Sequence, residues 1–167
     1  MLALAATHNQ TLAGGVVGTL MTNCGLEAAF QEQQIPFVRA KVGDRFVLEQ
    51  MVEKGWLLGG ETSGHIICLD KATTGDALIA ALRVLLLLMQ KNTSLQTLKQ
   101  GWKKWPQVMI NVPVEKAAKQ MVEEKEVQDC LTRLQTALGD SGRIVLRPSG
   151  TEPLVRVMVE AKAVSYT

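Results

Sequence analysis

Net charge is almost absent from this chain. Eighteen Lys and Arg stand against sixteen Asp and Glu, leaving +2 over 167 residues. That is too small an excess to argue for a nucleic-acid or anionic-membrane surface, so neither partner is expected. Cysteine is scarce. Cys24, Cys68 and Cys130 are odd in number and match no metal-ligand spacing, which excludes a disulfide framework and a zinc knot. Buried free thiols in a reducing cytoplasm are expected. No acidic cluster has the spacing of a divalent-metal loop. No run is long enough to span a bilayer: the longest, Ala77 to Met89, is broken by Arg83, and reads as a buried helix. Met1 to Ala6 is apolar but lacks a basic n-region and a true h-region, so no signal peptide is expected in it. It looks like the middle of a helix with no cap before it. Repeats and low-complexity tracts are missing too. What remains, 47% apolar and 20% charged, is ordinary globular composition.

The apolar pattern alternates between strand-like and helix-like segments. Val16 to Met21 predicts a buried strand. Asn23 predicts the cap of a helix from Gly25 to Gln33. Pro36 to Ala40 predicts a strand, Asp44 the cap of a helix to Lys54, and Gly55 its C-cap. Strands at Trp56–Gly59 and Ile66–Leu69 flank a polar loop. Thr73 to Asp76 opens a long helix to Lys91, and a shorter helix runs from Ser94 to Lys104. Short links between strands and helices predict an α/β domain with a mixed sheet over residues 1–105. Pro106 marks a boundary. Residues 106–167 predict a small α+β domain: a strand at Val108–Val114, one helix from Glu115 to Leu138, and an antiparallel hairpin of Arg143–Arg147 with Leu154–Glu160. Trp102 and Trp105 read as packing rather than as a base-stacking surface.

Three polar segments carry chemistry. Arg147-Pro148-Ser149-Gly150-Thr151-Glu152-Pro153 offers a guanidinium fork that fits phosphate oxygens. Ser149 and Thr151 add hydroxyls, Gly150 allows amides to converge on one anion, and Arg156 supplies a second cation from the next strand. An ordinary hairpin turn is the competing reading. Gly60-Glu61-Thr62-Ser63-Gly64-His65 offers a carboxylate and a hydroxyl for sugar hydroxyls, and an imidazole able to donate to phosphate or shuttle a proton. A solvent-exposed turn competes with it. Lys41-Val42-Gly43-Asp44-Arg45 sets a cation before a helix N-terminus, an anion site, against the plainer reading of a capping turn. Asp76 reads as an N-cap.

Taken in order, these motifs resemble the α-D-phosphohexomutase superfamily, and within it the bacterial phosphoglucosamine mutases above all. Gly15-Val16-Val17-Gly18-Thr19, Thr73-Thr74-Gly75-Asp76 and Pro153-Leu154-Val155-Arg156-Val157 support the resemblance, which runs from about Met1 to Glu160. It implies four domains, of which this chain is the third and most of the fourth, without the last helix. It implies that Glu61 and Ser63 hold sugar hydroxyls, that Lys41 and His65 lie beside the reacting groups, and that Arg147, Ser149, Gly150 and Thr151 grip the non-reacting phosphate. The implied reaction interconverts glucosamine 6-phosphate and glucosamine 1-phosphate through a bisphosphate, with Mg²⁺, on the route to UDP-N-acetylglucosamine. The phosphoserine loop and the Asp-Gly-Asp-Gly-Asp metal loop of that superfamily are absent here. The expectation is therefore a cytoplasmic, C-terminal portion of an isomerase that binds no metal and is inactive without the N-terminal half. A glucose or mannose phosphate mutase fragment, or a stand-alone sugar-phosphate binding module, are the alternatives.

Overall fold

A computed structural model describes residues 12–114, 118–150 and 152–162. The chain divides after Lys103 into two compact units. In the first, β1 (Val16–Thr19) is buried along its whole length. It lies between two parallel neighbours, β2 (Phe37–Ala40) and β3 (Leu58–Gly60). The edge strand β4 (Ile66–Cys68) runs antiparallel to β3, giving the order β2-β1-β3-β4. This is the mixed sheet expected from the sequence. Alternation along β1 sends Val16 to one face, against Phe30 and Ile35, and Val17 to the other, against Val47, Met51 and Ile67. Helix α1 (Cys24–Glu32) covers the first face and α2 (Asp44–Lys54) the second. Val47 and Met51 are fully buried, each worth about 1.5–3 kcal/mol of transfer free energy. Helix α2 lies so close to β3 that a Cβ on Gly59 would stand 2.5 Å from the Met51 sulfur.

Local signals set most helix ends. Asn23 accepts the Gly25 amide at 3.0 Å, and Gly55 closes α2 in the left-handed region at φ 66°. Asp76 takes two amides, of Leu78 and Ile79, at the start of α3 (Ala77–Lys91). Asp44 differs from expectation. It is the first helical residue of α2 and accepts only from the adjacent Arg45 amide, at 2.8 Å. Gly43 occupies the cap position, because its φ of 129° turns the chain one residue earlier.

Helix α3 is not the buried helix expected. Ala80 and Leu87 are its only buried residues, while Leu78, Leu82, Leu85, Leu86 and Met89 are 54–78% exposed. It packs on β4, a three-residue edge strand, which can cover only one stripe of a helix about 22 Å long. Helix α4 (Leu95–Lys99) ends earlier than expected, shortly before Gly101, a poor helix residue.

In the second unit, β5 (Gln107–Pro113), β6 (Gly142–Pro148) and β7 (Leu154–Ala161) form an antiparallel sheet in the order β5-β7-β6. Val155, Met158 and Glu160 of the central strand are its buried residues. Helices α5 (Ala118–Glu123) and α6 (Lys125–Leu138) pack beside β6. The single helix expected from Glu115 breaks at Glu124, whose extended backbone (ψ 136°) restarts the chain as α6. The Gln128 side-chain amide holds the break by donating to the Val122 carbonyl at 2.6 Å. Strand β5 is exposed at every residue. The thiols are not uniformly buried: Cys68 is, Cys24 is partly so, and Cys130 on α6 faces solvent.

Candidate functional site

Parallel pairing brings the carboxyl ends of β1, β2 and β3 to one edge of the sheet, where open α/β sheets place their ligand loops. The antiparallel β4 starts at the same edge, since Gly60 pairs with Ile66. Lys41, Glu61, Ser63 and His65 therefore emerge together. A tight turn shapes their loop: the Glu61 amide donates to the His65 carbonyl at 2.8 Å, and the Gly64 amide to the Glu61 carbonyl at 3.1 Å. Gly64 adopts φ 102°, closed to other residues.

Within this loop the side chains engage one another. Ser63 Oγ lies 3.0 Å from His65 Nδ1, leaving Nε2 for other partners. Glu61 Oε2 lies 3.8 Å from the same Nδ1. The Glu61 side chain is only 10% exposed, whereas His65 is 55% exposed. Glu61 Oε1 accepts the Gly43 amide at 2.8 Å, tying this loop to the Lys41–Arg45 turn. The Thr73–Asp76 loop backs onto the imidazole, and a Cβ on Gly75 would stand 3.1 Å from His65 Cβ. Lys41 is exposed, its ammonium 5.8 Å from the Phe46 ring centre.

Arg39 was not singled out by sequence, yet it organises the neighbouring turn. Its side chain is 16% exposed. It donates to the carbonyls of Thr19 (3.1 Å) and Thr22 (2.6 Å) and to Glu27, and it stacks on Phe37. Both Asp70 carboxylate oxygens accept from one Arg83 nitrogen, Nη1, at 2.8 and 2.7 Å beside the same sheet. Burial would raise the Asp70 carboxyl, but the Arg83 guanidinium and Lys71 outweigh it and hold it below its ordinary value. Burial pushes the Cys68 thiol up, and the Asp70 charge adds to this against the opposing pull of Arg83.

The second unit gathers Arg147, Ser149 and Arg156 at one end of the β6–β7 hairpin. Arg147 and Arg156 are directly paired across the strands. The Nε atoms of both are buried and have no partner. Burial, then the facing Arg156 charge, lowers Arg147 from its ordinary value. Arg156 keeps one ion pair, to Glu152 at 3.0 Å. The Ser149 hydroxyl accepts the Glu152 amide at 3.3 Å, and the Ser149 amide donates to the Leu154 carbonyl. Gly150 does not use the backbone freedom expected of it. Its φ is open to any residue, and an added Cβ would meet nothing within 4 Å. It leaves open space above the turn instead. Thr151 lies outside the described residues. Two like charges opposed across a hairpin destabilise it, so the arrangement suits an anion better than it suits an empty turn.

Among the described residues, no three His, Cys, Asp or Glu side chains come together as a metal seat. No described helix is long and apolar enough to cross a membrane. Comparison with known proteins is consistent along the chain. Residues 1–105 match the family model for the phosphoglucomutase/phosphomannomutase alpha/beta/alpha domain III, and residues 109–165 match the model for the C-terminal domain. The phosphoglucosamine mutase of Pseudomonas entomophila is 54% identical over 89% of this chain and 33% of its own length. That of Neisseria subflava is 49% identical over 99% of this chain and 37% of its own. The chain thus spans about a third of the length of these curated relatives. A solved N-acetylphosphoglucosamine mutase of Aspergillus fumigatus matches 97% of this chain with a TM-score of 0.76 at 22% identity, the chain covering 37% of it. A phosphoglucomutase/phosphomannomutase family protein of Burkholderia thailandensis matches the same share with a TM-score of 0.70 at 18% identity, 36% of its length being covered. These two likenesses carry the fold.

Proposed function

This chain belongs to the phosphoglucomutase/phosphomannomutase family as its C-terminal part, and from that premise we propose that it is the sugar- and phosphate-gripping portion of a phosphoglucosamine mutase. The activity is the interconversion of glucosamine 6-phosphate and glucosamine 1-phosphate through a bisphosphate. One observation carries the reading: two guanidinium groups face each other across a hairpin with buried, unpartnered Nε atoms. Such donors suit an oxyanion with several acceptor oxygens, and a phosphate monoester is that ligand. Arg147 and Arg156 grip the non-reacting phosphate, with Ser149, Thr151 and the open space over Gly150 completing the cradle. Glu61 and Ser63 receive sugar hydroxyls. Lys41 and His65 face the reacting groups, Lys41 as a cation and His65 through Nε2.

We assign residues 1–105 to the sugar-binding domain and 106–167 to the phosphate-binding domain. The nucleophilic serine, the Mg²⁺ and its carboxylate ligands belong to the N-terminal half, the partner this portion needs. The described residues of this chain do not fit a metal seat, and their work is binding and orientation. Grip on a ground state does not lower a barrier, so the chain alone has no turnover. The compartment is the cytoplasm.

The test is a chimera in which this chain replaces the matching part of the Pseudomonas entomophila mutase. It should convert glucosamine 6-phosphate, prefer it to glucose 6-phosphate, and lose activity on Glu61→Ala. A folded chimera that neither turns over nor binds hexosamine phosphate would refute the reading. Preference for glucose 6-phosphate would move the assignment to a hexose mutase.

A further inference from the structure

We infer that Glu61 is a positioning residue for Lys41 as well as a sugar ligand, its two carboxylate oxygens dividing the work. The inference rests on the reading that Glu61 and Lys41 face the same sugar phosphate. Oε1 already has a partner within the protein, the Gly43 amide at 2.8 Å. Gly43 is the cap residue of α2 and has no side chain with which to cap it. A carboxylate eighteen residues away reaches the cap amide and adds to Asp44, in the first turn, the negative charge that a helix N-terminus favours. The Glu61 side chain is nearly buried, so this contact is made away from bulk water, where it is strong.

The contact reaches Lys41 through a short path. The Gly43 carbonyl accepts the Phe46 amide at 3.0 Å, closing the first turn of α2. That turn carries the Phe46 ring over which the Lys41 ammonium sits. Gly43 thus fixes both the backbone leading from Lys41 and the ring that receives its side chain. Gly43 itself has no Cβ and adopts φ 129°, ψ 131°. Its placement depends on hydrogen bonds rather than on packing. Oε2 differs: its nearest protein partner is His65 Nδ1 at 3.8 Å, beyond hydrogen-bond reach. A sugar hydroxyl arriving there draws on the same carboxylate that holds Gly43, so sugar binding and Lys41 placement are coupled.

Two variants separate reach from charge. Glu61→Gln keeps the length of the side chain and an oxygen able to accept from Gly43. Glu61→Asp keeps the charge but is one methylene too short. The full chain, isotope-labelled and free of ligand, is examined by NMR, so the result does not depend on mutase activity. Glu61→Asp should speed Gly43 amide exchange about tenfold or more. It should also move the ring-shifted Lys41 methylene protons to their random-coil positions, while Val17 in the core keeps its protection. Glu61→Gln, which keeps an acceptor in reach and loses only its charge, should perturb both readouts less than Glu61→Asp. Phe46→Leu is the second probe: it should release Lys41 from its ring shift and leave Gly43 protected. An Asp variant with unchanged Gly43 exchange and Lys41 shifts would overturn the inference. So would a Gln variant as perturbed as the Asp one, or a Phe46→Leu variant whose Lys41 shifts do not move.

Discussion

Replacing Arg147 with methionine should stabilise the small C-terminal unit while removing its hold on phosphate. Arg147 and Arg156 stand directly opposite on β6 and β7. A cation whose folded value is lowered is charged in the fold at a cost. That cost is present throughout the neutral range, because a guanidinium stays protonated in proteins. Like charges opposed across strands destabilise by about 0.2–1 kcal/mol. Methionine keeps the apolar stem, so little packing is lost. A gain of about 0.5 kcal/mol should raise the unfolding midpoint of a unit of some sixty residues by about 2–4 °C. Against that, the lost charge-assisted hydrogen bonds should cost about 2–3 kcal/mol in phosphate affinity, about 30- to 150-fold in Kd. The assay is thermal unfolding with and without glucosamine 6-phosphate. Wild type should melt lower without ligand and shift upward with it, and the variant should melt higher and shift little. A variant that melts lower than wild type without ligand would show that the facing arginines are stabilised by something other than an anion. An undiminished ligand shift would refute the phosphate role.

Other perturbations test the scaffold around the site. Arg143→Met strands Glu160, whose Oε2 accepts from Arg143 at 2.8 Å and whose side chain is fully buried. It should cost about 3–5 kcal/mol by denaturant unfolding. The depressed Asp70 carboxyl gives stability that is whole above its unfolded value near 3.8 and lost as pH falls through the lower folded value. Arg83→Met should therefore flatten the acid limb of the stability profile below about pH 4. Thiol labelling of the folded chain should modify exposed Cys130 first and Cys68 last, since burial both shields Cys68 and raises its thiol.

The features legible in the sequence were those encoded by near neighbours. Asn23, Gly55 and Asp76 act on residues within a turn of themselves, and each does what its type and position indicate. The mixed sheet followed from apolar runs separated by helical periodicity. The polar loops stood out because turn residues interrupt strand residues. The contacts that join these pieces left no local trace. Arg39 sits in a short strand where alternation gives no hint of its many partners. The Glu61–Gly43 bond links residues whose separation only the parallel sheet closes. Helix α3 misled because an apolar composition states a demand for cover, and the three-residue β4 meets only part of it. The break at Glu124 escaped because no glycine or proline marks it.

The close approach of α2 to β3 has a consequence for how this chain can change by mutation. A methyl group on Gly59 would collide with both the Met51 sulfur and a Val47 methyl, so alanine there forces those buried side chains to shift. Shrinking Met51 alone opens a cavity costing about 2–5 kcal/mol. The two positions should form an epistatic pair, each change costing more alone than beside the other. Because Gly59 lies two residues before Glu61, any escape that lifts the helix also alters the reach from Glu61 to Gly43. Natural drift at this spot is therefore confined by the binding edge, and a selection for Gly59 variants should return compensating changes at Val47 or Met51 before any other position.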